Sequence, residues 1–155
     1  LKTNQFNLTT KRYSKSEISL LNKDINFNIF LVHLNDIYGD HGIVAMVVLK
    51  KVNSEIVLID SFLMSCRVLG RYLDYWIMHE IYKIAKKKKF KYIIGNYIET
   101  KKNILKKDFF KKFNFSKFQY DDLSKYKEFK CKEGKFYIVK INEIKNDFLK
   151  IYAKD

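Results

Sequence analysis

The sequence changes from a strand pattern to a helix pattern across one stretch: Ser65-Cys66-Arg67-Val68-Leu69-Gly70-Arg71-Tyr72. The run before it, Glu55–Met64, is almost wholly apolar and rich in β-branched residues, which indicates a buried central strand. After it, apolar residues recur at steps of three and four, and this spacing predicts one face of a long helix: Leu69, Tyr72, Leu73, Trp76, Ile77, Ile81, Ile84 and Ala85. The first N–H groups of a helix lack helical acceptors and bind phosphate well. We therefore expect a strand–turn–helix unit that binds an anion at the turn.

The patterns on either side of this unit predict the rest of a sheet. Ser14 and Glu17 have the spacing of a capping box, so a helix is expected over about 15–23. The further expected elements are the strands Asn26–Leu34, Gly42–Val52 and Tyr92–Tyr97, a helix over Asn103–Asn114, the strands Phe115–Tyr120 and Lys135–Ile141, and a tail helix over Glu143–Asp155. Consecutive strands followed by alternating helices and strands predict one α/β (α+β) domain over residues 1–155. Its mixed sheet is mainly antiparallel and has helices on both faces.

The composition fits a compact domain in a reducing compartment. Hydrophobic residues make up 47% of the 155, and two cysteines are too few for a disulfide framework, so we expect a cytoplasmic protein. The apolar runs are too short to cross a bilayer, and we expect no membrane contact. No Cys or His residues stand at metal-ligand spacing, so no metal site is predicted. Because the chain begins at Leu1, we expect a piece of a longer protein in which residues 1–8 lead in from an upstream domain.

The net charge of +14 leaves two interpretations open. A basic surface attracts anionic partners such as nucleic acid or acidic proteins. Lysine is also frequent in proteins from AT-rich genomes, and the block Lys86–Lys89 has the favourable position of cations at the end of a helix. Most aromatic residues follow core periodicity and the basic residues form no reading helix, which argues against nucleic acid as the partner.

Several motifs together resemble known families. The turn with Arg67-Val68-Leu69-Gly70-Arg71 is similar to the pyrophosphate-binding motif of the GNAT superfamily of acetyltransferases. The motifs that resemble FkbH-like proteins more narrowly occur in that family's order and cover about Leu1 to Phe115: Thr3–Thr10, Tyr38–Gly42, Ser65–Arg71 and Tyr97–Asn103. In that family a similar region follows a HAD-type phosphatase domain, of which this sequence contains no Asp-x-Asp motif.

The resemblance implies a function and its partners. It implies an acyltransferase domain that moves a small, glyceryl-like acyl group between thioesters and onto an acyl carrier protein. The ligand would be coenzyme A or a phosphopantetheine thioester, and the residues implied to bind it are Arg67, Leu69, Gly70, Arg71, Tyr72 and Asn103. In general terms Asn103 is equally suited to capping a helix.

Three side chains are candidates for the chemistry. Cys66 follows a strand end and precedes Arg67, whose charge favours a nucleophilic thiolate, although most cysteines are simply small core residues. His41 is a candidate base with Asp40 fixing its tautomer, or else a turn residue. Glu99 follows a strand end, where it is either an acid that contacts substrate or a cap.

Two departures from the GNAT pattern keep other functions open. Tyr72 stands where the motif usually has a small residue, and Phe110 stands where many members have a proton-donating Tyr. These departures favour a second hypothesis, a non-catalytic docking module that recruits an acyl carrier protein to the phosphatase. A nucleic-acid-binding domain is the third.

Overall fold

The computed structural model describes residues 6–119 and 133–144. These residues form one six-stranded sheet with the strand order β1-β2-β3-β4-β6-β5. The strands are β1 Phe27–Asp36, β2 Gly39–Lys51, β3 Ile56–Met64, β4 Tyr92–Tyr97, β5 Ser116–Phe118 and β6 Lys135–Lys140. The α-helices are α1 Lys15–Leu21, α2 Leu73–Lys87 and α3 Phe109–Lys112. All neighbouring strands are antiparallel except β3 and β4, which confirms the mixed, mainly antiparallel sheet.

The turn before α2 shortens the helix that the sequence predicts. Cys66–Val68 forms a turn of 3-10 helix, so the regular helix begins at Leu73 and not at Leu69. Gly70 has a φ of +83° and Tyr72 a φ of +57°, and this left-handed backbone interrupts the helical path. The apolar residues of α2 nevertheless face the core as predicted.

The second predicted helix is broken in two. The single helix expected over Asn103–Asn114 is wrong, because Ile104–Lys106 is 3-10 helix and only Phe109–Lys112 is α-helical. The tail helix expected from Glu143 falls mostly on residues 145–155, outside the described residues, and Ile141–Glu143 is a 3-10 turn. Tyr120, the expected end of β5, is also outside them.

The pairing between β3 and β4 covers only the first part of the two strands. It consists of four residue pairs and ends at Ile59 and Gly95. At the same point β3 carries a bulge, since Leu49 and Val48 of β2 pair with Ile59 and Ser61 and leave Asp60 as the extra residue. Past the bulge, β3 and β4 have no direct pairing among the described residues.

The chain's own segment Phe6–Thr9, the inserted segment, lies between β3 and β4 past this point. The N–H of Leu8 donates to the carbonyl of Phe62 (3.3 Å), and that of Met64 donates to Phe6 (3.0 Å). On the other side the N–H of Ile98, just after β4, donates to the carbonyl of Leu8 (2.8 Å). The inserted segment thus bridges the two strands. Although the sequence assigns residues 1–8 to a lead-in, Phe6, Asn7 and Leu8 are buried.

Aromatic rings fix the inserted segment in the core. Phe6 and Leu8 are fully buried. The rings of Phe6, Phe62 and Phe109 meet pairwise at centroid distances of 5.1 to 5.3 Å, with edge-to-face or tilted geometry. Because these rings come from the inserted segment, β3 and α3, they connect three parts of the chain.

We predict that Gly95→Ala destabilises the fold. A Cβ at Gly95 would overlap the ring of Phe110, and such overpacking costs about 1–3 kcal/mol. Urea unfolding of both single variants and of the double variant with Phe110→Leu measures the coupling. We expect the double variant to lose less than the sum of the single losses. Strictly additive losses would contradict the steric explanation.

Candidate functional site

The turn Ser65–Tyr72 presents Cys66 at the end of β3. Cys66 is exposed, whereas Ser65 beside it is buried. The Oγ of Ser65 accepts hydrogen bonds from the backbone N–H (3.4 Å) and the Nε (3.2 Å) of Arg67. The turn thus holds its own arginine in place and leaves the thiol on the surface. Gly70 is exposed, with open space around its Cα.

Two arginines attach this turn to the β1–β2 hairpin. A terminal nitrogen of Arg67 donates to the carbonyl of His41 (3.2 Å), and Arg71 donates to Asp36 (2.8 Å). The N–H of Ser65 also donates to the carbonyl of Val44 (2.7 Å). Both cations that the sequence assigns to anion binding therefore lie at the turn and contact the hairpin.

Two bulges in β2 explain how the hairpin reaches the turn. The register between β1 and β2 shifts twice, which leaves His41 and Val44 as extra residues without a direct partner. A bulge bends its strand and redirects a side chain, and bulges are common next to active sites. Both carbonyls that the turn contacts belong to these bulge residues.

The partner of His41 is Asp36 and not Asp40. The Nε2 of His41 lies 3.1 Å from one carboxylate oxygen of Asp36, whose other oxygen accepts from Arg71. Asp40 instead pairs with His33 at 2.9 Å. The expectation that Asp40 orients His41 is therefore wrong, because neighbouring residues in a strand point to opposite faces. Asp36 was missed because it lies on the opposite strand of the hairpin, five residues before His41.

The surroundings of Asp36 favour its charged form. The pKa of Asp36 is lowered chiefly by the backbone N–H of Tyr38, with further contributions from His41 and Arg71. The carboxylate thus stays charged at neutral pH, where it accepts from Arg71 and lies 3.1 Å from the Nε2 of His41. It orients His41 and the turn together.

The other residues of the turn have separate environments. Leu69 is half-buried and packs against the core, while Tyr72 is 53% exposed with its ring 5.8 Å from that of Tyr75. The first turn of α2 carries Asp74, which pairs with Lys112 at 3.3 Å. An anion that binds at the N-terminus of α2 would therefore have the exposed backbone of Gly70 before the helix and the carboxylate of Asp74, paired with Lys112, in its first turn.

Asn103 is buried with its side chain fully hydrogen-bonded. Its Oδ1 accepts from the N–H of Thr100 (2.8 Å) and from the hydroxyl of Tyr97 (3.1 Å). Its Nδ2 donates to the carbonyls of Asn7 (2.8 Å) and Ile98 (2.9 Å). The resemblance implies that Asn103 binds a thioester ligand, whereas in the structure its side-chain amide binds the backbone of Asn7 in the inserted segment.

Glu99 and Phe110 lie on the β6 side of the site. Glu99 pairs with Lys135 of β6 at 2.7 Å, which raises the pKa of that lysine. Phe110 is buried, and its ring stacks on Tyr137 at 5.5 Å. The structure therefore connects Arg67, the neighbour of Cys66, to the backbone of His41 and pairs Glu99 with β6.

Asp60 also anchors the inserted segment, a role that the sequence pattern does not predict. Asp60, the bulge residue of β3, is buried, and its carboxylate pairs with Lys11 and accepts from the hydroxyl of Tyr13. Its carbonyl accepts from the hydroxyl of Thr9 (3.1 Å). Burial and the contact with Asp60 raise the pKa of Tyr13. A lone Asp inside an apolar strand run was the available signal, since a buried carboxylate needs partners.

Neither of two described cavities includes Cys66. One, of about 330 Å³, lies at the opposite end of α2, where Leu49, Val57 and Phe90 are among its lining residues. The other, of about 210 Å³, lies where the inserted segment meets the loop after β4 and includes Asn7 and Lys102. The exposed thiol of Cys66 therefore lines neither of these two cavities.

The part of the chain that the structure describes contains neither a metal-binding cluster nor a membrane-spanning helix. Within residues 6–119 and 133–144, no group of three or more His, Cys, Asp or Glu side chains is arranged to bind a metal ion. In the same ranges no helix is long and apolar enough to cross a membrane.

The fold is that of GNAT acetyltransferases of known structure. A GNAT-family acetyltransferase from Staphylococcus aureus Mu50 aligns with a TM-score of 0.62 at 14% identity, over 75% of this chain and 68% of that one. Tetrahymena GCN5 aligns with a TM-score of 0.60 at 13% identity, over 83% and 76%. A GNAT-family acetyltransferase from Elizabethkingia anophelis with acetyl-CoA bound gives 0.59 at 14%, over 82% and 83%. No family model and no curated protein matches the sequence. The GNAT-like fold is confirmed, while the narrower resemblance to FkbH-like proteins stays a prediction.

We predict that Asp36 stabilises the hairpin–turn contact in a pH-dependent way. Its folded-state pKa lies below the ordinary value of 3.8, so its contribution is present above that pH and is lost as the pH falls through the folded pKa. The difference in unfolding free energy between wild type and Asp36→Asn should therefore shrink as the pH falls from about 5 to about 2. Urea unfolding across this range measures it, with Asp40→Asn as the control from the same hairpin. A constant difference would rule the ion pair out.

We predict that Asn103→Ala is strongly destabilising. It removes the partner of the Asn7 and Ile98 carbonyls and of the Thr100 N–H, at a cost of about 2–4 kcal/mol, while the Tyr97 hydroxyl keeps the backbone carbonyl of residue 103. Asn35→Ala removes an exposed amide from β1 and should change stability by less than about 0.5 kcal/mol. Denaturant unfolding compares the two, and equal losses would contradict this role of Asn103.

Proposed function

We propose that this chain is an acyl-transfer domain in which Cys66 receives an acyl group from one thioester and passes it to a second thiol. The supporting observation is the exposed thiol on the turn that follows β3, with Arg67 connecting this turn to His41. The GNAT fold, which acetyltransferases share, agrees with this proposal.

The transfer takes place in two thioester-exchange steps. The sulfur of Cys66 attacks the carbonyl carbon of the donor thioester, a new C–S bond forms, and the donor sulfur leaves and takes up the proton lost by Cys66. The thiol of the acceptor then attacks the acyl-Cys66 thioester and releases the Cys66 sulfur, which recovers a proton. No oxidant, reductant or metal is required.

His41 is the proposed proton carrier. Asp36 holds its Nε2, and Arg67 holds its backbone. A histidine near neutral pH exchanges protons readily, and a carboxylate on one ring nitrogen sets the tautomer. The assignment of Glu99 as an acid has less support, since this carboxylate pairs with Lys135.

The resemblance to FkbH-like proteins supports a specific pair of substrates. We propose a glyceryl-like acyl donor, supplied with the help of a HAD-type phosphatase domain, and an acyl carrier protein as the acceptor. The phosphate of its phosphopantetheine would lie at the turn near Gly70, with Arg67 and Arg71 as the nearby cations. Carrier proteins are typically acidic, and the net charge of +14 favours their encounter.

A second candidate is a docking module without chemistry of its own. Phe110, which donates no proton, favours it, as does the inserted segment that fills the gap in the sheet. Such a module would bind the carrier protein and leave catalysis to a neighbouring domain.

We predict that Cys66→Ala abolishes acylation of the protein. Intact mass measured after incubation with a panel of acyl thioesters should show a hydroxylamine-sensitive acyl adduct on the wild type and none on the variant. Addition of the holo carrier protein should then move the acyl mass onto the carrier.

Cys131→Ala is the matched control, because it removes the other cysteine of the chain. It should be acylated like the wild type. If Cys66→Ala is acylated as fast as the wild type, the relay is wrong. Binding of the carrier by all three proteins without acylation would favour the docking module.

A further inference from the structure

We infer that the inserted segment permanently fills the gap between β3 and β4, so the acceptor thiol reaches Cys66 from the outer surface on a carrier protein and not as free coenzyme A. The preference for a carrier rests on the proposed function, whereas the closed gap rests on the backbone contacts of the inserted segment.

The gap is closed first by backbone pairing. A pantetheine arm is an extended chain with two amides, and it needs backbone donors and acceptors along its path. The carbonyl of Phe62 and the N–H groups of Met64 and Ile98 lie along this gap, and all three bond to the inserted segment. An arm in this place would have to break each of these bonds.

Side chains close the gap a second time. Phe6 and Leu8 are fully buried, so an arm would also have to expel two apolar side chains into water. Asn103 holds the carbonyl of Asn7, and Thr9 holds the carbonyl of Asp60. Lys11, which follows directly, pairs with the buried carboxylate of Asp60. The segment is thus anchored at both strands and beyond its end, which is the arrangement of a permanent part of the sheet.

Because the gap is closed, a ligand can gain binding affinity only from contacts on the outer surface of the domain. A free coenzyme has only the turn near Gly70 and the surface around Cys66. A carrier protein adds contacts between the two protein surfaces. The loop after β4 offers a suitable surface, since Lys101, Lys102 and Lys107 are exposed and Leu105 is 90% exposed. Acidic side chains with an apolar contact complement this surface.

Amide hydrogen exchange with coenzyme A as the probe tests the closed gap directly. We expect the protection of the Leu8, Met64 and Ile98 amides to be unchanged at millimolar coenzyme A. Faster exchange at these three amides, by about tenfold or more, would show that the coenzyme displaces the segment and would overturn the inference.

Transfer rates test the acceptor. Starting from acyl-Cys66, the rate constant per concentration of acceptor should be at least about tenfold higher for the holo acyl carrier protein than for free coenzyme A. Equal rates would overturn the preference for a carrier. Failure to form acyl-Cys66 would remove the proposed function, while hydrogen exchange would still decide whether the gap is closed.

A variant that weakens the packing of the inserted segment tests independently whether the segment competes with a pantetheine arm. Leu8→Ala should lower the protection of the Met64 and Ile98 amides without raising the rate with acyl-coenzyme A. Leu20→Ala, which truncates a leucine that is 68% exposed, is the matched control. A faster reaction with acyl-coenzyme A in Leu8→Ala alone would show that the segment competes with the arm, and the inference would fall.

Discussion

The fold depends on what fills the gap that opens where β3 and β4 cease to pair. The bulge at Asp60 coincides with the last direct pair, Ile59 with Gly95. Two central strands with unpaired backbone groups would be costly inside a core, because buried N–H and C=O groups require partners. The inserted segment supplies those partners from Phe6 and Leu8, and its apolar side chains complete the packing beneath α3.

The same constraint defines the candidate site. The interior of the sheet is filled by the inserted segment, and the groups proposed to react lie outside it, on the turn that follows β3 and in the neighbouring hairpin. The turn is held against the β1–β2 hairpin by Arg67 and Arg71, and the carboxylate of Asp36 contacts both Arg71 and His41. Neither of two described cavities includes Cys66 among its lining residues. As the proposed nucleophile, the exposed thiol of Cys66 can meet each partner thiol in turn.

The sequence predicts most of the helices and strands but few of the contacts that connect them. Strands such as β3 and the helix α2 follow from long, repetitive apolar patterns, and the turn at Gly70 follows from the change of period between them. The inserted segment has no such signal, since Phe6 and Leu8 alone are too short a pattern to distinguish a buried segment from a lead-in. Asn103–Asn114 misleads for another reason, because the Asn103 side chain bonds to backbone groups of the preceding residues Ile98 and Thr100 and does not cap the segment that follows. The pairing of Asp36 with His41 depends on a bulge, and a bulge is not visible in composition or periodicity.

Hydrogen-bond scalar couplings measured by NMR test the closed sheet most directly. We predict couplings from the Met64 amide nitrogen to the Phe6 carbonyl carbon and from the Ile98 amide nitrogen to the Leu8 carbonyl carbon, where the nitrogen–oxygen distances are 3.0 and 2.8 Å. Both couplings should persist when coenzyme A is added. Their absence, together with rapidly exchanging amides in Phe6–Thr9, would mean that the gap between β3 and β4 is open, and the explanation of both the fold and the surface thiol would be contradicted.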